Sequence, residues 1–138
     1  MSRSGYNEDY DNQWGLICWR GMVASASRGK RGQQFFRDLV AALDAMPEHK
    51  LVKGDLETSS GAVCALGALG KAKGVNLHEV DTYDYPTLGG IFNIAECLAQ
   101  ETMYENDEAD WRGDETDEHR WERMRKWAEY SLIEWNKA

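Results

Sequence analysis

Apolar positions along this chain recur at helical spacing almost wherever they show any pattern. Leu16, Trp19, Val23 and Ala26 fall three or four residues apart, so a segment capped by Asp11 or Asn12 and ending near Ser27 presents one apolar face. Arg28-Gly-Lys-Arg-Gly32 follows and reads as a turn. The next segment, Gln33 to Met46, sets Phe36, Leu39, Val40 and Leu43 at i, i+3, i+4 and i+7, and Pro47 stops it. Together the two segments predict an αα-hairpin with its cations at the bend.

The pattern lapses after Pro47. Lys50-Leu-Val-Lys53 is too short to carry a period, and the polar stretch from Gly54 to Gly61 predicts a loop containing at most one short helical turn. From Gly61 to Gly74 small residues lie on all sides, cations gather near the end, and Gly74 stands where a C-terminal glycine belongs. That is a short, tightly packed helix. A glycine inside a helix costs roughly 1 kcal/mol relative to alanine, so its glycines imply close approach by a neighbouring element.

Asp81-Thr-Tyr-Asp-Tyr-Pro86 is turn-like, and Ile91, Ile94, Ala95, Leu98 and Thr102 then form a stripe predicting one helix that ends at Tyr104. Residues 105–115 read as an acidic loop. Thr116 is an N-cap, Asp117 and Glu118 suit a first turn, and Trp121, Met124, Ala128, Leu132 and Trp135 trace the face of a last helix. No alternating run competes. The predicted class is all-α: one compact domain over residues 1–138, with about five helices and a flexible arm at residues 1–11.

Composition adds few constraints. A chain of 138 residues that is 42% hydrophobic, with six Trp and six Tyr, can bury a single core. Its apolar runs fall well short of the ~20 residues a spanning helix needs, and Met1-Ser-Arg-Ser-Gly-Tyr6 lacks the apolar region of a signal peptide, so a cytoplasmic protein without membrane contact is expected. Cys18, Cys64 and Cys97 are odd in number and lie among apolar residues, which suits reduced core thiols. Trp121 and Trp135 belong to an apolar face. Trp127 lies off that face and Trp111 sits among acids, so these two are the candidate exposed anchors.

Charge changes the picture more. The chain carries a formal net charge of -8, yet Arg20, Arg28, Lys30, Arg31 and Arg37 occur without an intervening acid, while nine acids lie between Glu101 and Glu118. The overall field repels nucleic acid, so any polyanion site must be local. Arg28, Lys30, Arg31 and Gln33, held by Gly29 and Gly32 at a helix start, suit a phosphate or carboxylate and hence a nucleotide-like anionic small ligand. Against this stands solvation, or internal pairing with the acidic segment. Tyr104, Asn106 and Asp107 are candidates for a polar pocket against the Cys-Ala-Leu-Gly-Ala helix; the plainer reading is that they end a helix and turn the chain. Glu108, Asp110, Trp111 and Asp114 can present carboxylates around an aromatic anchor to a host protein with a basic, nucleic-acid-binding face.

Other chemistry fails on spacing. Gly67-Ala-Leu-Gly-Lys71 has two residues where a P-loop needs four, and Ala72 stands where it needs Ser or Thr. The Cys and His residues lack zinc-module spacing, and the run from Glu108 to His119 puts Arg112 and His119 at calcium-ligand positions of an EF-hand. No metal and no cofactor is implied. Glu101, Glu105, Asp107 and Glu108 are the residues a carboxylate-dependent enzyme would use, although crowded acids more often form a solvated face.

Arg-Ser-Gly-Tyr near the start, Arg-Gly-Lys-Arg-Gly-Gln at the first bend, Val-Cys-Ala-Leu-Gly-Ala and Tyr-Glu-Asn-Asp before an Arg- and Trp-rich helix give the chain its most distinctive words. In these it resembles small proteins of unknown function encoded in phages and prophages. The Cys64-Ala-Leu-Gly-Ala68 and Asn106-Asp107 pair is also similar to a bacterial family in which such a helix precedes a Trp-Asn-Asp turn, although Tyr104 and Glu105 stand here in place of the Trp. The resemblance implies a non-enzymatic binding protein acting in the host cytoplasm, most plausibly an inhibitor of a host defence component. The remaining readings are an anion-sequestering binder, as a monomer or a homo-oligomer, and a small carboxylate enzyme.

Overall fold

The computed structural model describes residues 13–108 and 113–133. The arm at residues 1–11, Asp110, Trp111 and Trp135 lie outside them. Six helices occur among the described residues: α1 (Gln13–Arg28), α2 (Lys30–Ala45), α3 (Ala65–Ala72), α4 (Tyr85–Phe92), α5 (Glu96–Asp107) and α6 (Asp117–Tyr130). The fold is a single all-α domain. Its one extended pairing among these residues is an isolated antiparallel bridge between Glu57 and Val63. No described helix is long and apolar enough to cross a membrane.

Helix α2 is the central strut, packed against α3 and α6, while α1 lies on α2 and α5. Its stripe of Phe36, Leu39 and Leu43 is fully buried and meets Leu66, Leu69, Leu98 and Met124 in one contiguous core. Thr116 caps α6 as its residue type predicts, its hydroxyl accepting from the His119 N–H at 3.1 Å. Trp127 is half-buried rather than an outlying anchor, because its ring meets Phe36 edge-on at 5.2 Å.

The helix count is six, not five, because the stripe from Ile91 to Thr102 is interrupted. Asn93 adopts φ 55° and ψ 49°, a left-handed conformation that asparagine tolerates, and its N–H closes α4 on the Gly89 carbonyl. A Cβ on Gly89 would come within 2.9 Å of the Ile94 carbonyl oxygen, so glycine is needed for the chain to turn this tightly into α5. Helix α5 then runs past Tyr104 to Asp107, which takes Glu105, Asn106 and Asp107 out of the expected acidic loop.

The first bend is also tighter than its sequence suggests. The five-residue turn contracts to Gly29 alone, and Lys30 and Arg31 belong to the first turn of α2. Gly32 makes this possible: a Cβ there would lie 2.0 Å from the Ala26 carbonyl oxygen, so α1 and α2 touch backbone to backbone. Residues 54–61 hold no helical turn; their chain reversals use Gly54 and Gly61 at φ 87° and 90°.

Helix α3 meets the expectation of close packing, though it is shorter than the Gly61–Gly74 span. A Cβ on Gly67 would fall 1.8 Å from the Leu56 carbonyl oxygen, and one on Gly70 would fall 2.5 Å from Leu77 Cδ1. Cys64 caps the helix, its sulfur accepting from the Gly67 N–H at 3.4 Å, and burial pushes its thiol up to about 12. Burial also raises the half-buried Cys97 thiol, whereas Cys18 is exposed on α1 and is not a core residue.

Candidate functional site

The cationic bend comes first because its local cause is clear. Gly29 caps α2 without a side chain, and Arg28, Lys30 and Arg31 stand exposed around it. Arg31 donates to Asn93 Oδ1 at 3.4 Å, and among the described residues neither Arg28 nor Lys30 has an ion-pair partner. Among the described residues, then, no acid of the 101–118 segment pairs with these cations. Gln33 does not join them. It is buried, its Nε2 donates to the carbonyls of Ser27 at 2.7 Å and Ser131 at 2.9 Å, and its Oε1 accepts from the Ile133 N–H at 2.9 Å. The side chain ties the end of α1 to the segment after α6. Its position three residues before Phe36, on the buried stripe, is the sequence signal for that role.

Asn106 is a second hub and is 1% exposed. Its Oδ1 accepts from the Ala65 N–H at the start of α3 at 3.0 Å, while its Nδ2 donates to the Val52 carbonyl at 3.0 Å and to Asp107 Oδ1 at 2.7 Å. Asp107 Oδ1 also accepts from the Gly54 N–H at 3.2 Å. The expected contact between this pair and the Cys-Ala-Leu-Gly-Ala helix exists, but its form is a latch joining α5, α3 and the 52–54 segment. Tyr104 is half-buried one turn earlier on α5.

Two of the acids, Glu101 and Glu115, are drawn inward. Glu115, with a 2% exposed side chain, accepts from Arg123 at 2.7 and 2.9 Å, and the Arg123 hydrogen bond is the main reason its carboxyl lies below the usual range, with His119 and Arg120 assisting. Arg123 also donates to the backbone carbonyls of Glu105 and Asn106, tying α6 to the end of α5. Arg120 donates to the Leu51 carbonyl at 2.8 Å and to Asp117 at 2.9 Å. Glu101 is 3% exposed and accepts from the Trp19 indole at 3.3 Å. The four carboxylates an enzyme would use thus include two, Glu101 and Asp107, that hold separate parts of the fold together.

What remains outside is an acidic surface drawn from two distant segments. Tyr83 is 56% exposed and meets Tyr85 edge-on at 6.4 Å. The Tyr85 hydroxyl is pushed up to about 12, first by burial and then by the negative field of Tyr83, Glu108, Asp107 and Asp81. Asp84 and Asp114 are exposed, and Glu108 is half-buried. The negative charge of residues 105–115 is plain in the sequence, whereas nothing local links residues 107–108 to Tyr85.

An apolar groove of about 580 Å³ also opens between the end of α2, residues 61–63 and α3, with Ala42, Met46, Val63 and Ala68 in its lining and Lys50 and Lys71 among its polar residues. Its walls come from segments far apart in the chain, and no local pattern announces it. Comparison with known proteins gives no match: no family model, no curated protein and no solved structure is significantly similar to this chain.

Proposed function

We propose that this chain is a non-enzymatic binding protein that docks on another protein, in the manner of a phage-encoded inhibitor of a host defence component. The observation that carries this reading is the exposed Tyr83 ring, set edge-on against Tyr85, whose hydroxyl feels the negative field of Glu108, Asp107 and Asp81. A basic, nucleic-acid-binding face of a host protein meets there both the charge it expects from phosphate and an apolar anchor. The inward commitment of Glu101, Glu115 and Asn106, and the buried, capping Cys64, leave these groups as fold-holding elements and support binding over catalysis.

Capture from host lysate tests it. Wild type retains a basic protein, and changing Glu108, Asp110 and Asp114 to Lys together with Tyr83→Ala lowers the association rate at least ~10-fold, with wild-type association slowing steeply as salt rises. Asp84 and Asp107 are left intact because they accept the Thr87 and Gly54 N–H groups. Capture indifferent to salt and to these changes removes the acidic surface from the interface.

The exposed cations at the uncapped start of α2 support a second reading, an anionic small-ligand site made by Arg28, Lys30 and Arg31. Changing all three to Gln abolishes binding of a nucleoside triphosphate probe while leaving the melting temperature nearly unchanged, since exposed charges contribute little to stability. Equal binding by wild type and variant eliminates the site.

A further inference from the structure

Helix α1 turns an apolar face outward. Trp14, Ile17 and Met22 are 74%, 57% and 52% exposed, whereas Phe36, Leu39 and Leu43 of α2 are fully buried. Cys18 and Ser25 are exposed on the same side, and between them lies Gly21, where a Cβ would meet nothing within 4 Å. Helical glycine costs roughly 1 kcal/mol against alanine. At Gly32, Gly67 and Gly70 that cost is explained by an atom of the same chain that a Cβ would strike. At Gly21 the chain supplies no such atom. Gly90 of α4 is also open, but Pro86, Thr87 and Asn93 around it form no apolar stripe.

We infer that the outer face of α1 is a self-association surface on which a second copy of this chain packs antiparallel, the two helices crossing at Gly21. Trp14 and Arg28 lie equally far from Gly21 on either side, seven residues or about two turns, and therefore on the same face. A two-fold axis through Gly21 sets each Trp14 indole against the second copy's Arg28, a cation–π pair made twice. It also sets Ile17 against the second copy's Ser25, and Cys18 against its Ala24. Gly21, Cys18, Ala24 and Ser25 are small, which allows the axes to approach at the near end of the ~8–10 Å range for packed helices.

Charge favours the antiparallel arrangement. Arg28, Lys30 and Arg31 stand exposed at the C-terminal end of α1 and the start of α2, and no acid falls between Gln13 and Arg37. Parallel apposition would set these cations against the same cations of the second copy; antiparallel apposition carries the two clusters to opposite ends of the helix pair. One helix from each subunit makes an interface at the small end of the stable range of ~1,200–2,000 Å², so the dimer is expected to dissociate on dilution.

Sedimentation equilibrium over a wide concentration range is the test. Wild type moves from one chain mass towards two. Trp14→Ala and Gly21→Gln each raise the dissociation constant at least ~10-fold while circular dichroism and melting temperature confirm an intact fold. In a Cys18→Ser background, oxidation of a mixture of the Ile17→Cys and Ser25→Cys variants gives a mixed disulfide, mapped by mass spectrometry, in excess over either homotypic product. A wild type that stays monomeric, because residues 1–12 or nothing at all covers α1, overturns the proposal. So does a dimer unaffected by Gly21→Gln, or homotypic linkage through residue 17, which marks a parallel pair.

Discussion

Helices α1 and α3 are both rich in small residues, yet the surroundings of those residues differ completely. In α3 the missing side chains are replaced by the chain itself: the Leu56 carbonyl fills the space beside Gly67 and Leu77 the space beside Gly70, and every residue from Ala65 to Gly70 is buried. In α1 the space beside Gly21 is open and is bordered by exposed Trp14, Ile17 and Met22. The same residue type therefore marks a completed contact in one helix and an unfilled one in the other. Composition alone does not separate the two cases; the rest of the fold does.

The largest effect that can be imposed on this contrast is Gly67→Ala. Its Cβ would have to displace backbone at Leu56 rather than a flexible side chain, and a loss of ~3 kcal/mol or more in urea unfolding is expected. A loss under ~1 kcal/mol would mean that α3 is not held as tightly as described. Asn106→Ala comes next. It strips the Ala65 N–H and the Val52 carbonyl of a buried partner and is expected to cost ~2–4 kcal/mol by the same measurement.

Acid should loosen the end of α6 before it affects α1. The carboxyls of Glu115 and Asp44 are both held low, chiefly by hydrogen bonds from Arg123 and Arg125 respectively. Their pairing stabilises the fold fully above the ordinary carboxylate values of 4.5 and 3.8 and is lost as pH falls through the lower folded values. Stability should therefore decline below about pH 4.5, and Glu115→Gln should flatten that part of the profile. An unchanged slope in the variant would remove Glu115 from the acid response. The smallest change is Gly21→Ala, which should leave the monomer as stable or up to ~1 kcal/mol more stable, because the added methyl meets no atom of its own chain.

Much of this fold is legible in sequence where local chemistry decides it. Pro47 ends α2's apolar stripe, Thr116 caps α6, and the glycines of α3 signal close approach before any neighbour is known. The break at Asn93 is hidden for a physical reason: Ile91, Ile94, Ala95 and Leu98 keep helical spacing across it, so the stripe looks continuous while the backbone reverses. Gln33 and Asn106 illustrate the same boundary at the sites. Each carries amide groups suited to a ligand, and in each they are taken up by backbone from distant segments, which only the assembled fold brings within reach. The acids of residues 107–108 stand out in the sequence; that their field reaches Tyr85 follows only from the packing of α4 on α5.

Thiol alkylation followed residue by residue tests the contrast between α1 and α3 most directly, because each helix has its own cysteine. Cys64 is 0% exposed, caps α3 and has its thiol pushed up to about 12; Cys18 lies on the open face of α1. At pH 8 in dilute native protein, iodoacetamide should modify Cys18 readily and Cys64 only at the rate of unfolding. Raising the protein concentration should slow Cys18 alone as α1 faces pair. Equal rates at the two cysteines, or a Cys18 rate independent of protein concentration, would contradict the account of one helix packed by its own chain and one by a second copy.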